Sequence, residues 1–425
     1  MKKSLSNTTF RAFKNRNYAL FFSGQTVSQI GTWMQRTAVT WVIYSMTHSA
    51  AMIGVAVFAQ QFPSFLLSLL GGVVADRYSR YKILLVTQTA SMIQAVLLAA
   101  LILTKHYQVW EILTLGMILG IVNAFDVPAR QPLVHEMVDN KEDLANAISL
   151  NSAMVNIARL IGPALSGIVL QAFGAGICFI VNAASFIAVI ASLLLMRFAE
   201  FKPAVVKKKV AHELVEGFRY LKQTPSIGLQ ILLMVCLSLL VYPYDTVMPV
   251  FAKVIFNGNA ATYGYISAFG GLGALVGSFL LASVKKGANF KPLLLASIVI
   301  LGTGLVLFSR AGYLPLALGL SVIIGLGSIT PMSIAITMMQ TEAAVNMRGR
   351  VMSYVAMAFF GMIPIGSLLI GTLSQKIGAP PTMLCQGIAA ILIAALFAKL
   401  LPNVKPTEAV KEQAVDEVTV AGDQK

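Results

Sequence analysis

Four ionisable residues stand inside long apolar stretches of this chain: Arg36, Asp126, Arg159 and Asp245. A charge in hydrocarbon is costly unless it is paired, hydrated or, for a carboxylate, neutralised by a proton. Desolvation favours the neutral acid and an approaching arginine favours the ion, so such a carboxylate can take up a proton in one arrangement and release it in another. Reversible proton binding coupled to a change of ion-pair partner is the chemistry these residues offer. Two pairs are expected: Asp126 with Arg159 on consecutive stretches, and Asp245 with Arg36 on stretches far apart in the chain. For the first, a fixed pair that only holds two helices together is the competing reading.

The charges continue polar stripes at helical spacing. Gln25, Gln29, Thr32, Arg36 and Thr40 share one helix face, with Trp33 and Trp41 beside it as packing or substrate contacts. Asn123, Asp126 and Arg130 form a second stripe, with Pro128 loosening the backbone. Ser152, Asn156 and Arg159 follow, then Ser238, Tyr242, Asp245 and Pro249, and finally Ser333, Thr337 and Gln340. A polar stripe on a membrane helix must face protein or water rather than lipid. The first, fourth, seventh and tenth stretches are therefore expected to enclose a central cavity lined by Gln25, Gln29, Thr32, Trp33, Asn123, Asn156, Tyr242, Thr337 and Gln340.

The elements that hold these stripes follow from composition. The 425 residues are 57% hydrophobic and 12% charged, about half the ~25% charged fraction of soluble domains. Stretches long enough to cross a ~30 Å hydrocarbon core recur twelve times. They lie near 18–46, 51–75, 83–104, 108–132, 144–172, 175–196, 226–251, 262–284, 292–309, 313–340, 351–375 and 380–400. The fold class is an all-α polytopic membrane protein. Residues 1–196 and 226–400 read as two six-helix bundles, and matched positions such as Arg36 with Asp245, Gly120 with Gly325 and Gly162 with Gly366 point to a duplication. Residues 197–225 read as a cytoplasmic linker with an amphipathic helix, and 401–425 as a disordered tail.

Orientation follows from the basic residues, which accumulate in short cytoplasmic loops. With both termini inside, 26 of the 32 Lys and Arg fall on the cytoplasmic side and only Lys105, Lys253, Arg310 and Lys376 lie opposite. The net charge of +15 is thus a topology signal and a contact with anionic lipid, and no nucleic-acid partner is expected. Met1 to Asn17 is basic and polar and reads as no cleavable signal. Cys178, Cys236 and Cys385 sit inside spans and imply neither a disulfide framework nor a metal site. No nucleotide loop, metal cluster or nucleophile triad supports an enzyme.

Between spans two and three lies GVVADRYSRYK, residues 72–82, a charged hairpin between apolar stretches. Twelve spans in two halves with this element resemble the major facilitator superfamily. The resemblance implies that Gly72 lets helices two and eleven approach, and that Asp76, Arg77, Arg80 and Lys82 latch the cytoplasmic ends of the two halves in one state. The family's usual second glycine is Ser79 here, and its arginine at the middle of span four is missing. IGPALSG resembles the span-five element of exporters and proton antiporters, which assigns helix packing and bending to Gly162, Pro163 and Gly167. GTWMQR, NAFDVPARQ, LANAISLNS and RGRVMS resemble the enterobactin-exporter-like branch, also called transmembrane secretion effectors.

The resemblance implies secondary active efflux of small organic molecules, siderophore-like or drug-like, by proton antiport and alternating access. The energy source would be the proton gradient, with no cofactor. Its setting would be the inner membrane of a prokaryote, as a monomer. An importer of a small nutrient, a carrier of lipid-type cargo, or a non-transporting sensor are the alternatives.

Overall fold

The computed structural model describes residues 10–138, 140–197, 210–284, 289–344 and 347–401. The expected tail beyond Leu401, the Lys207 to Lys209 run and the pair Lys285 and Lys286 lie outside these residues. Among the described residues twelve long helices and one short one follow one another. In the first half they are α1 (Arg16–Thr47), α2 (Ala50–Arg77), α3 (Arg80–Leu103), α4 (Val109–Glu136), α5 (Lys141–Phe173) and α6 (Ala175–Leu195). A short linker helix α7 (Val210–Gln223) leads to α8 (Pro225–Ile255), α9 (Ala260–Ala282) and α10 (Phe290–Phe308). Then come α11 (Leu314–Glu342), α12 (Arg348–Ile377) and α13 (Ala379–Leu400).

Eleven of these helices are long and apolar enough to cross a membrane. The twelfth crossing is α1, whose 32 residues suffice in length and whose polar stripe lowers its apolarity. Side chains such as Val86, Ile93 and Leu97 stand exposed around the outside. In water they would be a liability; against lipid they need no cover.

The two halves repeat each other's packing. Gly162 of α5 lies against Ile30 and Trp33 of α1, and Gly366 of α12 lies against Leu239 and Pro243 of α8. Likewise Gly120 of α4 faces the backbone of Gln60 in α2, and Gly325 of α11 faces that of Gly270 in α9. Small residues at these crossings let backbones approach, which drives helix association where lipid offers no hydrophobic force.

The halves meet along α5 with α9 and along α2 with α12. Both seams close towards the face opposite the chain ends, called here the far face. There Gly167 sits so close to α9 that a Cβ would come within 3.0 Å of Ala261 and Gly264. On the other seam Gly371 lies against Ala50 and Ala51, and the Ala50 amide donates to Gln375 Oε1 at 3.1 Å. Towards the terminal face, Leu66, Leu69 and Leu70 of α2 are exposed, as are Ser353, Ala356, Met357 and Phe360 of α12. The molecule is therefore shut at the far face and parted at the terminal face.

Two helices are not regular. In α8 the α-helix ends at Leu240, a 3-10 turn runs from Tyr242 to Thr246, and a π turn covers Phe251–Ile255. Pro243 and Pro249 cannot donate backbone hydrogen bonds here. The amide of Gln386 on α13 reaches the freed carbonyls of Leu240 and Val241 at 3.4 and 3.3 Å. In α12 a π turn spans Met357–Gly361.

Candidate functional site

A cavity of about 370 Å³ opens inside the first half, a volume in the range of small-molecule sites. Its wall includes the expected Gln25, Gln29, Thr32, Trp33 and Asn123, together with Arg36. Gln60, Gln61 and Ser64 from α2 and Gln88 and Ser91 from α3 add amides and hydroxyls. The second half contributes Phe360 of α12.

Four residues expected on the wall stand elsewhere. Asn156 spans the seam, its Nδ2 donating to Ser278 Oγ of α9 at 3.4 Å. Tyr242 packs edge-on against Phe359 at 5.7 Å between ring centres. Thr337 donates back to the Ser333 carbonyl of its own helix, and the exposed Gln340 amide lies against the Met352 sulfur at 3.7 Å. The stripe on the tenth span predicted a lining, but its residues are not among those lining the pocket built on α1.

Arg36 and Arg159 converge on one ring. Their guanidinium carbons lie 5.2 and 5.7 Å from the centre of Trp33, within cation–π reach. Opposite them on α8 is Asp245, which is exposed to solvent although protein surrounds it. Its electrostatic partners are Arg159 first and Arg36 second. The direct ion pairs among the described residues lie elsewhere, so Asp245 acts on both arginines across a gap. The expected pair Asp245 with Arg36 is thus a triad in which Arg159 is the stronger partner.

Above this triad the far face is sealed between halves. Trp41 of α1 stacks on Tyr263 of α9, with ring centres 6.2 Å apart and planes 18° apart. The Tyr263 hydroxyl lies towards Thr40 and Ser267.

Asp126 does not pair with Arg159. Arg130, one turn along the same helix, holds its Oδ2, while Thr87 Oγ1 and Gln88 Nε2 donate to Oδ1 at 2.9 and 2.7 Å. The reason is depth. Asp126 lies ten residues from the terminal-face end of α4 and Arg159 eighteen from that of α5, a difference of about 12 Å by helical rise. The Asp-x-x-x-Arg spacing was the signal for the observed pair, and Thr87 and Gln88 carried none.

The charged hairpin is organised within the first half. Arg80 binds Glu136 of α4 at 2.6 Å and Asp76 at 3.8 Å. Glu136 was not foreseen as a partner. Asp76, Arg77 and Lys82 are exposed. Gly72 has open space around it, and Gly71 is the glycine pressed against Ala124 of α4. Helices two and eleven approach instead at Gly54, which meets Ser367 of α12. Gly162 and Gly167 lie at tight crossings, as the span-five element implies, and Pro163 stays inside a continuous α5.

The linker helix α7 is docked. Glu216 pairs with Arg350 at 2.7 Å, and the Tyr220 hydroxyl accepts from the Ala344 amide at 3.1 Å.

Residues 7–422 match a family model described as transmembrane secretion effector. The chain is 26% identical over 386 residues to the staphyloferrin A transporter of Staphylococcus aureus, covering 89% of this chain and 94% of that one. It is 23% identical to the multidrug efflux pump Tap of Mycolicibacterium fortuitum over 87% of this chain and 91% of the relative. To the enterobactin exporter EntS of Escherichia coli it is 26% identical, over 90% and 91% of the two chains. Among solved structures, a POT family transporter in complex with 5-aminolevulinic acid superposes with a TM-score of 0.72 at 13% identity, covering 91% of this chain and 96% of that one. A bacterial homologue of the human lysosomal transporter Spinster, inward-facing and unoccupied, gives 0.67 at 14% identity, with 91% and 95% covered. At such identities the likeness is one of fold.

Proposed function

This chain belongs to the transmembrane secretion effector family of major facilitator transporters, and from that premise we propose that it exports small organic molecules by proton antiport. The observation that carries the proposal is the Asp245 carboxylate of one half facing Arg159 and Arg36 of the other below a sealed far face. Ionised, Asp245 attracts the two arginines and favours closure there. When that hold is broken the halves can rock to open the far face, where Asp245 takes up a proton for the return and releases it to the terminal side on meeting the arginines again. A cavity open to the terminal face and lined by amides, hydroxyls and aromatic rings suits loading from that side. Relatives named for siderophore transport, enterobactin export and multidrug efflux support the direction and the cargo class.

The terminal face is the cytoplasmic one in this reading, supported by the basic residues gathered there, and the membrane is a prokaryotic inner membrane. Asp126, consumed by Arg130, Thr87 and Gln88, has a fixed structural role. Arg80 with Asp76 and Glu136 is the resting form of the latch. It engages the second half when the terminal face closes.

Everted membrane vesicles test the proposal. An imposed pH gradient, acid inside, is expected to drive uptake of fluorescent small organic molecules, and a protonophore to collapse it. Asp245→Asn is expected to lower the initial rate by about tenfold or more, the scale of one charge-assisted contact. Uptake indifferent to the gradient, or active uptake only in right-side-out vesicles, would overturn the reading, the latter in favour of an importer.

A further inference from the structure

The two arginines above the cavity are under-used. Each guanidinium carries roughly five N–H donors in a planar fork. Among the described residues, Arg36 and Arg159 donate none of them in a direct hydrogen bond or ion pair. Their close contacts are with the face of Trp33, and their opposing charge, Asp245, acts across a gap. The remaining charges on the wall cancel locally, because Arg130 is bound to Asp126. Two cations therefore face one carboxylate, a surplus of one positive charge at the closed end of the cavity. The two guanidiniums also repel each other. Arg36 is exposed and Arg159 half-buried, so both are open to a ligand.

We propose that this end of the cavity is an anion subsite for a carboxylate-bearing amphiphile, whose carboxylate bridges Arg36 and Arg159 in competition with Asp245. The inference rests on the cavity being the cargo site. The fork geometry of arginine matches a carboxylate bidentately, and two forks beside one indole can share its two oxygens. The rest of the cargo is apolar and planar in part. Leu119, Val127, Val155, Phe186 and Phe360 line the cavity beside Trp33. Cargo entry and release of Asp245 are then one event, because each carboxylate that binds the arginines weakens the hold on the other. A bound cargo anion leaves Asp245 without a partner, so the far face can open, and Asp245 takes up its proton from that side once the cargo has left.

Three probes with one aromatic body and different charge test the subsite: 1-naphthoate, 1-naphthamide and 1-naphthylmethylammonium. Their binding to the purified full chain is measured by titration calorimetry without any gradient. The carboxylate is expected to bind about tenfold or more tighter than the amide, ~1.4 kcal/mol, and the ammonium more weakly than both. Asp245→Asn removes the competitor and is expected to tighten 1-naphthoate alone. Arg159→Gln and Arg36→Gln are expected to erase the carboxylate's advantage over the amide, and the lysine variants to keep part of it. Equal affinities for the three probes, preference for the ammonium, or an advantage that survives both glutamine variants would overturn the subsite. Loss of amide binding as well in a glutamine variant marks misfolding, and the Asp245→Asn titration then decides alone: no tightening overturns the proposal. Charge-selective binding in a chain whose vesicles fail to export would reject the efflux reading and leave the subsite standing.

Discussion

The first and seventh crossings occupy matching places in the two halves, yet they are built differently. α1 is an unbroken helix of 32 residues, and around Arg36 it is pinned by three neighbours. Gln35 donates to Gln94 of α3 at 3.0 Å, Asn182 of α6 donates to Gln35 at 2.7 Å, and Ser166 of α5 donates to the Met34 carbonyl at 3.0 Å. α8 breaks at the corresponding level, and two of its buried hydroxyls, Ser238 Oγ and Tyr242 OH, have no hydrogen-bond partner. The cation is thus fixed on a rigid post and the carboxylate is carried on a segment whose backbone has other conformations available. A gate needs one part that holds still and one that moves, and the proton switch proposed at Asp245 sits on the irregular segment.

The largest effect is expected from exchanging the two charges. If rigidity and looseness matter, Arg36→Asp/Asp245→Arg keeps the charges but reverses their carriers, and vesicle uptake should stay below about a hundredth of wild type, as for loss of two charge-assisted contacts. Wild-type uptake in the swap would show that the two helices are interchangeable. Next comes the pinning of α1. Gln35→Leu leaves the buried amides of Gln94 and Asn182 short of a partner, at about 1–3 kcal/mol each, and should lower the melting temperature of the purified protein by several degrees. Tyr263→Phe removes the hydroxyl that joins the α9 side of the seal to Thr40, a loss of about 1 kcal/mol. It should raise the labelling rate of a cysteine placed at Val39 from the far face a few-fold. The smallest effect belongs to Ser238→Ala, which deletes a hydroxyl that satisfies nothing. Stability within about 0.5 kcal/mol of wild type is expected, and a large loss would mean that the segment around it is as tightly bonded as α1.

The span boundaries were legible because the bilayer dictates them: apolar length must match thickness, and the helices start and stop within a few residues of where hydropathy does. The break in the seventh span was less so, since its apolar run from 226 to 251 continues through it. Pro243 beside Tyr242 and Tyr244 was the available signal, and only Pro249 entered the stripe. The partner of Asp126 was misjudged because helical periodicity reports a face and not a depth. Arg159 shares the polar side with Asp126 but lies nearer the far face. Gly72 was favoured over Gly71 by the resemblance, and which of two adjacent glycines meets α4 depends on helix rotation, which composition does not encode.

The cavity wall comes almost wholly from the first bundle, with Phe360 as the second bundle's contribution, while the irregular helix that carries Asp245 belongs to the second. If Asp245 is the proton switch proposed above, this is a division of labour. Substitutions that retune what is carried accumulate in one copy without disturbing the engine in the other. Cargo range in such a lineage can drift quickly while its power source stays the same.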